Sequence, residues 1–363
     1  CECARAVSGR VPVSRRVDVG FEEDMSYVSA AGGVYLSMNF LLVLAPLTIG
    51  WRKMVPMFVA LTLQTVLGAL CFVVLPVETS FPVRADATMA FAIADTINLE
   101  RNFLPSLHVA FAVTGALAFG RDRGLLPRLV VGGWALGIAA STMLIHEHHL
   151  LDVVAGAALA VGTWTFALRH ETRLVRAFDV ELLCYAHFYA FARRHRRCAL
   201  IGLALTLQSL GRWRKRRVLR TGFAFLQVVD GLLDGDRACK GEPLDVVQSL
   251  LEQLERAEFG DAPLDRLARA FHEDLGRAGG AEALEQAAQL IRVMQRDRQR
   301  VLDGRALPDS EMRAQLRETF ALSVDLMLTA GGAELRSDDA PALLDAFAWC
   351  STMRDLEEDL EKG

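Results

Sequence analysis

The sequence has little charge in its first half and no overall excess of basic residues. Between residues 25 and 169 about one residue in ten is charged, compared with 23% of the whole 363-residue chain. The long apolar runs that result exclude an all-soluble enzyme and a disordered chain. The net charge of −4 argues against a dedicated nucleic-acid-binding protein, and we expect no nucleic-acid partner.

Cysteine is scarce and scattered. The seven cysteines form neither a CxxC pair nor a metal-ligand spacing, so we expect free thiols. The first residue is Cys rather than Met and no signal peptide is visible. We therefore expect residues 1–25 to be a tail that is clipped at its N-terminus.

Five apolar runs, separated by short polar joints, are long enough or nearly long enough to cross a bilayer. The third is marginal in length. Residues 26–170 are thus predicted to form a transmembrane domain, the first part of an all-α chain. The expected spans are residues 26–49, 54–77, 103–119, 126–145 and 150–168.

The Lys and Arg residues of the joints favour one orientation. If the spans alternate, the loop around Arg121 and the segment after Arg169 lie on the side that carries more of these residues. The positive-inside rule then places both in the cytoplasm. The loop 146–149 would face outward from a plasma or inner membrane.

Histidine and carboxylate side chains at the outer ends of the spans suggest phosphoryl transfer. His148 can attack phosphorus as a nucleophile, and Asp152, four residues later on the same helix face, can fix its tautomer. His108 can protonate the leaving alkoxide. No cofactor is needed for this chemistry. The candidates for binding phosphoryl oxygens are Arg84, Ser106 and Ser141, although Ser141 could instead bond only to its own helix.

Two motifs resemble those of the type 2 phosphatidic acid phosphatase (PAP2) superfamily. They are Pro-Ser-Leu-His at 105–108 and Ser-Thr-x5-His-x3-Asp at 141–152. The resemblance covers roughly residues 26–168 and is closest to the inositol phosphorylceramide synthase branch. It implies His148 as nucleophile, Asp152 as its partner and His108 as acid.

The sequence departs from the usual superfamily pattern at two places. The first motif is reduced to Arg84, and Thr142 supplies no guanidinium where the superfamily commonly has Arg. Fewer cations would then hold the phosphoryl oxygens. Transfer to an alcohol is therefore as plausible as hydrolysis.

The second half has the pattern of amphipathic helices throughout, with Gly- and Pro-containing breaks. We expect a basic juxtamembrane connector over residues 171–220, followed by a helical domain over 221–363. Together they predict a bundle of seven or eight helices. The basic run 193–220 is interpreted as a stripe near anionic lipid, with a substrate site as the alternative.

Two pairs of carboxylates recur at a spacing of four residues. Asp230 and Asp234 form one pair, and Asp355 and Asp359 form the other. Like charges at this spacing destabilise a helix, and a bound Mg²⁺ would reverse that penalty. The sequence thus predicts a magnesium site for a diphosphate, with two exposed acidic faces as the alternative.

The stretches around these pairs resemble the two acidic motifs of squalene and phytoene synthases. That resemblance covers roughly residues 180–363 and implies an isoprenoid-synthase fold. Asp-Gly-x-x-Asp at 230–234 lacks one carboxylate of the usual motif, and the chain stops directly after the second motif. Either the chain is truncated or the domain has degenerated.

The leading hypothesis is a membrane phosphatase or phosphotransferase that works through a phospho-histidine. Its partners would be a membrane lipid and a lipid or isoprenoid phosphate or diphosphate substrate. One alternative is a Mg²⁺-dependent head-to-head prenyltransferase with the membrane half as an anchor. The other is a prenyl-diphosphate-binding module without catalysis.

Overall fold

The computed structural model describes residues 19–22, 24–77, 80–81, 103–194 and 198–362. For residues 194, 198, 351–352 and 354–362 it describes the backbone only. All regular structure in these ranges is helical. The chain divides into two compact units that meet in the sequence between Phe178 and Asp179.

The first unit is a bundle of apolar helices. A short 3-10 turn at Gly20–Glu22 precedes it. The first span is broken at Ser37 into two helices, α1 and α2. The helices are α1 (Ala31–Leu36), α2 (Met38–Thr48), α3 (Trp51–Val74), α4 (Leu107–Gly120), α5 (Leu125–Leu144) and α6 (Leu150–Arg169).

Four of the five expected spans are long and apolar enough to cross a membrane. They correspond to residues 31–48, which combine α1 and α2, and to α3, α5 and α6. Helix α4, in the third expected span, has only 14 residues, about 21 Å of helix. It packs against α3, α5 and α6, so its neighbours surround much of its surface.

A buried glutamine joins three of these helices. The Gln64 amide on α3 donates to Thr114 Oγ1 on α4 at 2.6 Å and to Thr163 Oγ1 on α6 at 2.8 Å. Such hydrogen bonds stabilise helix packing where lipid gives no hydrophobic driving force. They hold α4 at a fixed place between α3 and α6.

The two ends of the first unit differ in character. At one end Arg121 donates two hydrogen bonds of 2.7 Å to Glu171, and Lys53 pairs with Asp122 at 3.1 Å. The starts of α4 and α6, with the histidines of the motifs, lie at the other end. The polar joints therefore alternate between the ends, as the expected spans require.

The second unit is also all-α. Its core is formed by aliphatic and phenylalanine side chains, with Phe225 stacked on Phe271 at 5.1 Å between ring centroids. The positive φ of Gly280 (+64°) bends one long helix. Helix α7 (Glu171–Arg194) begins in the first unit and continues into the second. The other helices of the second unit, in the described residues, are α8 (Cys198–Ser209), α9 (Arg217–Leu233), α10 (Pro243–Arg256), α11 (Pro263–Leu302), α12 (Asp309–Gly331) and α13 (Pro341–Lys362).

Candidate active site

The central pair of the candidate site is His148 and Asp152, at the start of α6. Asp152 lies in the first turn, where its Oδ2 accepts a hydrogen bond from the backbone N–H of His149 at 3.0 Å. A carboxylate is stable there because it caps the helix and faces the positive end of the helix dipole. The same Oδ2 lies 3.7 Å from Nδ1 of His148.

His148 Nδ1 and Asp152 Oδ2 are near each other but too far apart for a hydrogen bond. Both side chains are almost fully buried. His148 Nδ1 and Asp152 Oδ1 are buried without a hydrogen-bond partner among the described residues. Such groups cost free energy until they are paired, and catalytic contacts of this kind commonly shorten when substrate binds. A movement of under about 1 Å would make the bond.

Ser106 places the start of α4 against α6. Its Oγ caps α4 by accepting from the N–H of Val109 at 3.4 Å, and its own N–H donates to the Asp152 carbonyl at 3.0 Å. Gly156 on α6 allows this approach, because a Cβ there would overlap the Ser106 carbonyl oxygen. The close contact holds the start of α4 beside the His148–Asp152 pair.

His108, one residue into α4, thereby comes opposite His148. The two ring centroids are 6.3 Å apart and the rings are tilted by 51°. The rings are too far apart to bond directly, but one tetrahedral phosphoryl group between them could contact both. The structure therefore brings Ser106 and His108 of the first motif together with His148 and Asp152 of the second, although the two motifs are about 40 residues apart in the sequence.

Tyr35 is a residue of this site that sequence reasoning missed. It is buried on α1, its ring stacks on His108 at 4.3 Å, and its hydroxyl lies 3.2 Å from His108 Nδ1. The hydroxyl can accept the Nδ1 proton of a charged imidazole or donate to Nδ1 of a neutral one, and in both states it leaves Nε2 free for the substrate. The only sequence signal was one of two tyrosines in the first apolar run.

Glu22 and His149 form a second buried pair that sequence reasoning missed. His149 Nδ1 lies 2.7 Å from Glu22 Oε2, and both side chains are fully buried. The backbone N–H of Ser80 approaches His149 Nε2 at 3.3 Å, which fits a neutral ring that donates from Nδ1. Sequence reasoning assigned a role only to His148 in the loop 146–149, whereas the structure also buries His149 in the interior.

The Glu22 carboxylate also accepts from the backbone N–H groups of Leu150 and Val19. Burial by itself would raise the pKa of Glu22, but the hydrogen bonds from Leu150, Val19 and His149 outweigh burial and hold the pKa below its usual value. The carboxylate therefore stays charged. It ties the segment before α1 to the first turn of α6.

Phe81 covers this end of the bundle. Its ring is stacked on His149 at 4.2 Å and on His146 at 4.5 Å. His146 Nε2 also lies 3.0 Å from the Met25 carbonyl oxygen. These contacts surround the residues just before α6 with chain segments from three different parts of the first unit.

The other predicted phosphate ligands are not brought into the site in the same way. The hydroxyl of Ser141 is buried and donates to the Ile138 carbonyl within its own helix at 2.7 Å. Thr142 does the same to Ala139. Arg84 lies outside the described residues, so its role stays a prediction.

The predicted magnesium ligands lie in the second unit. Asp230 is half-buried on α9, and Asp234 is exposed just after its end. Asp355 and Asp359 are on α13, where only the backbone is described. Among the described residues no group of three or more potential metal ligands is present. The magnesium site stays a prediction.

Comparison with known proteins finds one similarity, in the first unit. Neither the curated proteins nor the solved structures gave a match to the chain. Residues 15–166 match the family model of the PAP2 superfamily. With the four helices that could span a bilayer, this indicates an integral membrane protein whose N-terminal part is PAP2-like and supports a phosphatase-type enzyme activity.

Proposed function

We propose that the first unit is a lipid-phosphate phosphatase or phosphotransferase that works through a phospho-histidine at His148. The observation that carries the proposal is the convergence of His148, Asp152 and His108 at one end of an apolar helix bundle. The nucleophile, its orienting carboxylate and the acid are the parts that a two-step displacement needs. The superfamily match supports the same class of reaction.

In the first step, Nε2 of His148 attacks phosphorus and the bond from phosphorus to the lipid oxygen breaks. Asp152 stabilises the proton on Nδ1 and the positive charge that develops on the ring. His108, protonated on both ring nitrogens, gives its Nε2 proton to the departing alkoxide and becomes neutral. The hydroxyl oxygen of Tyr35, 3.2 Å from Nδ1, accepts the remaining Nδ1–H and keeps Nε2 toward the departing oxygen.

In the second step, a water or alcohol oxygen attacks phosphorus and the bond from phosphorus to Nε2 breaks. His108, which has lost its Nε2 proton, takes the proton of the attacking oxygen at that nitrogen. Water gives inorganic phosphate and an alcohol gives a new phosphate ester. Because Thr142 supplies no guanidinium, transfer to an alcohol is as plausible here as hydrolysis.

Backbone N–H groups at the start of α4 would bind the phosphoryl oxygens, together with Ser106 and, from the sequence, Arg84. The N-terminus of a helix suits an anion because its N–H groups point toward it. The site needs no metal or other cofactor in this mechanism. The substrate would be a lipid or isoprenoid phosphate or diphosphate, reached from the outer side of a plasma or inner membrane.

Phosphate release by the purified full chain tests the proposal. Phosphatidate, farnesyl diphosphate and a polyprenyl diphosphate would each be supplied in detergent, with either EDTA or Mg²⁺. We expect release that is equal in EDTA and Mg²⁺ and that falls by about a thousandfold or more in His148→Ala. An added alcohol should divert part of the phosphate into an ester.

The matched control is His170→Ala, which removes an exposed histidine just after the other end of α6. It should leave the rate unchanged. Release that requires Mg²⁺ and survives His148→Ala but not Asp230→Ala would move the chemistry to the second unit. That result would contradict the proposal.

A further inference from the structure

Helix α8 in the second unit leaves most of its apolar side chains uncovered. Two small residues of α8 face the rest of the unit. Gly202 lies against the Phe188 ring. Ser209 is buried and donates to the Leu205 carbonyl. The outer side consists of large aliphatic residues that are between 44% and 69% exposed. They are Leu200, Ile201, Leu203, Leu207 and Leu210.

These side chains form a continuous surface. Positions 200, 203, 207 and 210 follow the three- and four-residue spacing of one helix face, and Ile201 borders it. A soluble domain normally puts polar residues on its outer helix faces. Contiguous exposed aliphatic surface indicates a binding partner or a membrane. We call these five residues the leucine stripe.

Positive charge surrounds the leucine stripe. Residues 182–229 contain ten Lys and Arg and no Asp or Glu. Arg217 and Arg220 pair with Asp274 and Glu181 inside the second unit. Three further cations directly after the stripe are exposed and belong to no ion pair among the described side chains. They are Arg212, Arg214 and Lys215.

The length of α8 restricts how it could meet a bilayer. Its 12 residues extend about 18 Å, which is too short to cross the hydrocarbon core. A short apolar face beside several basic residues is typical of a helix that lies in the plane of the interface. Trp213 is partly exposed, and the guanidinium carbon of Arg220 lies 3.9 Å from the centroid of its ring. Tryptophan is commonly enriched at the depth of the membrane interface.

We propose that the leucine stripe of α8 docks on a lipid surface that carries anionic headgroups. The aliphatic side chains would enter the boundary between headgroups and acyl chains. Arg212, Arg214 and Lys215 would lie among the anionic headgroups. The second unit would thus have its own lipid contact, whatever reaction the first unit performs.

A second copy of the chain fits this surface less well. A symmetric dimer would place one leucine stripe on another and would bring both sets of unpaired cations together. Like charges at an interface oppose association. An anionic lipid surface satisfies both the aliphatic and the basic part of the surface.

Hydrogen exchange of the full chain in lipid nanodiscs, with one chain in each disc, tests the proposal. One disc would contain phosphatidylcholine alone, and the other would also contain phosphatidylglycerol. We expect the amides of α8 to exchange at least about fivefold more slowly in the anionic disc, since one surface cation alone contributes about that factor. High salt should remove most of the difference.

Two variants and one internal reference complete the experiment. The charge variant Arg212→Gln/Arg214→Gln/Lys215→Gln should lose the difference between the discs, and Leu203→Gln/Leu207→Gln should raise exchange in both. The amides of α10 serve as the reference and should not respond to lipid. Equal exchange of α8 in the two discs, or a difference that survives the charge variant, would overturn the proposal. Protection that appears only with two chains in a disc would instead indicate a dimer.

Discussion

His149 donates from Nδ1 to a carboxylate oxygen of Glu22 across 2.7 Å, although 127 residues separate them in the sequence. This buried pair fastens the segment before α1 to the residue that precedes α6. His148 is the residue directly before His149, and Asp152 lies in the first turn of α6. The orientation of the proposed nucleophile therefore depends on a buried hydrogen-bonded pair that takes no part in the reaction.

Glu22→Gln should destabilise the first unit and lower the activity. The neutral amide cannot accept all three hydrogen bonds that the carboxylate accepts. A hydrogen bond to a charged group contributes about 1.5–3 kcal/mol to stability. We expect a loss of about 2 kcal/mol in unfolding free energy. Urea unfolding in detergent measures it. Asp122→Asn, at an exposed pair with Lys53, is the control and should leave stability nearly unchanged, since water screens exposed ion pairs.

The pH dependence of this contribution has a definite sign. Because the pKa of Glu22 is held below its usual value of 4.5, folding favours the ionised form. The contribution of Glu22 to the unfolding free energy is complete above pH 4.5 and is lost as the pH falls below 4.5. The stability difference between wild type and Glu22→Gln should thus shrink in acid. A difference that grows as the pH falls would contradict this account.

Gly156→Ala should separate the two halves of the site. The added methyl group would overlap the Ser106 carbonyl, so the start of α4, with His108, must shift away from α6. Overpacking of this kind costs about 1–3 kcal/mol, and we expect the rate to fall by about tenfold or more. Gly162→Ala on the same helix meets open space and should keep full activity. Equal rates for both variants would disprove the positioning role.

Tyr35→Phe keeps the stacked ring but removes the hydroxyl beside His108. If Tyr35 positions the proton on His108, kcat should fall by about tenfold while KM changes little. The loss should be smaller with an aryl phosphate, whose leaving group needs no acid. Comparing lipid and aryl substrates measures this directly. A purely structural role would lower both rates equally.

His187 predicts a pH effect in the second unit. Burial and the nearby Arg237, which donates to Nδ1 at 2.8 Å, lower the pKa of His187 to about 4. The folded state favours the neutral form of His187. The unfolding free energy should therefore be at its full value above pH 6.5 and should fall as the pH drops toward 4. We expect about 1–2 kcal/mol, since the half-buried side chain is partly screened. His187→Asn should remove this slope in pulse proteolysis of the full chain.

Much of the fold follows from sequence patterns because each helix is specified locally. The apolar runs predicted the helices of the first unit, although one of the five is too short to span alone. Amphipathic spacing predicted an all-α second half. In the described residues it contains seven helices, in agreement with the expected seven or eight.

The candidate site was only partly predictable. His148 and Asp152 are close because they share one helix, and the superfamily motif indicated His108. Tyr35 could not be found this way, because its contact depends on how α1 packs beside α4. Glu22 is followed by two further acidic residues, and nothing in the sequence says which carboxylate turns inward.

Trapping the phosphorylated enzyme tests the central claim most directly. The full chain would be mixed with a lipid phosphate labelled on its phosphoryl group, quenched within one turnover and separated from lipid. The account predicts label bound to the protein of wild type, stable in alkali and lost in acid as expected for a phospho-histidine, and none in His148→Ala. Phosphate release without labelled protein in wild type, or labelled protein in His148→Ala, would contradict it.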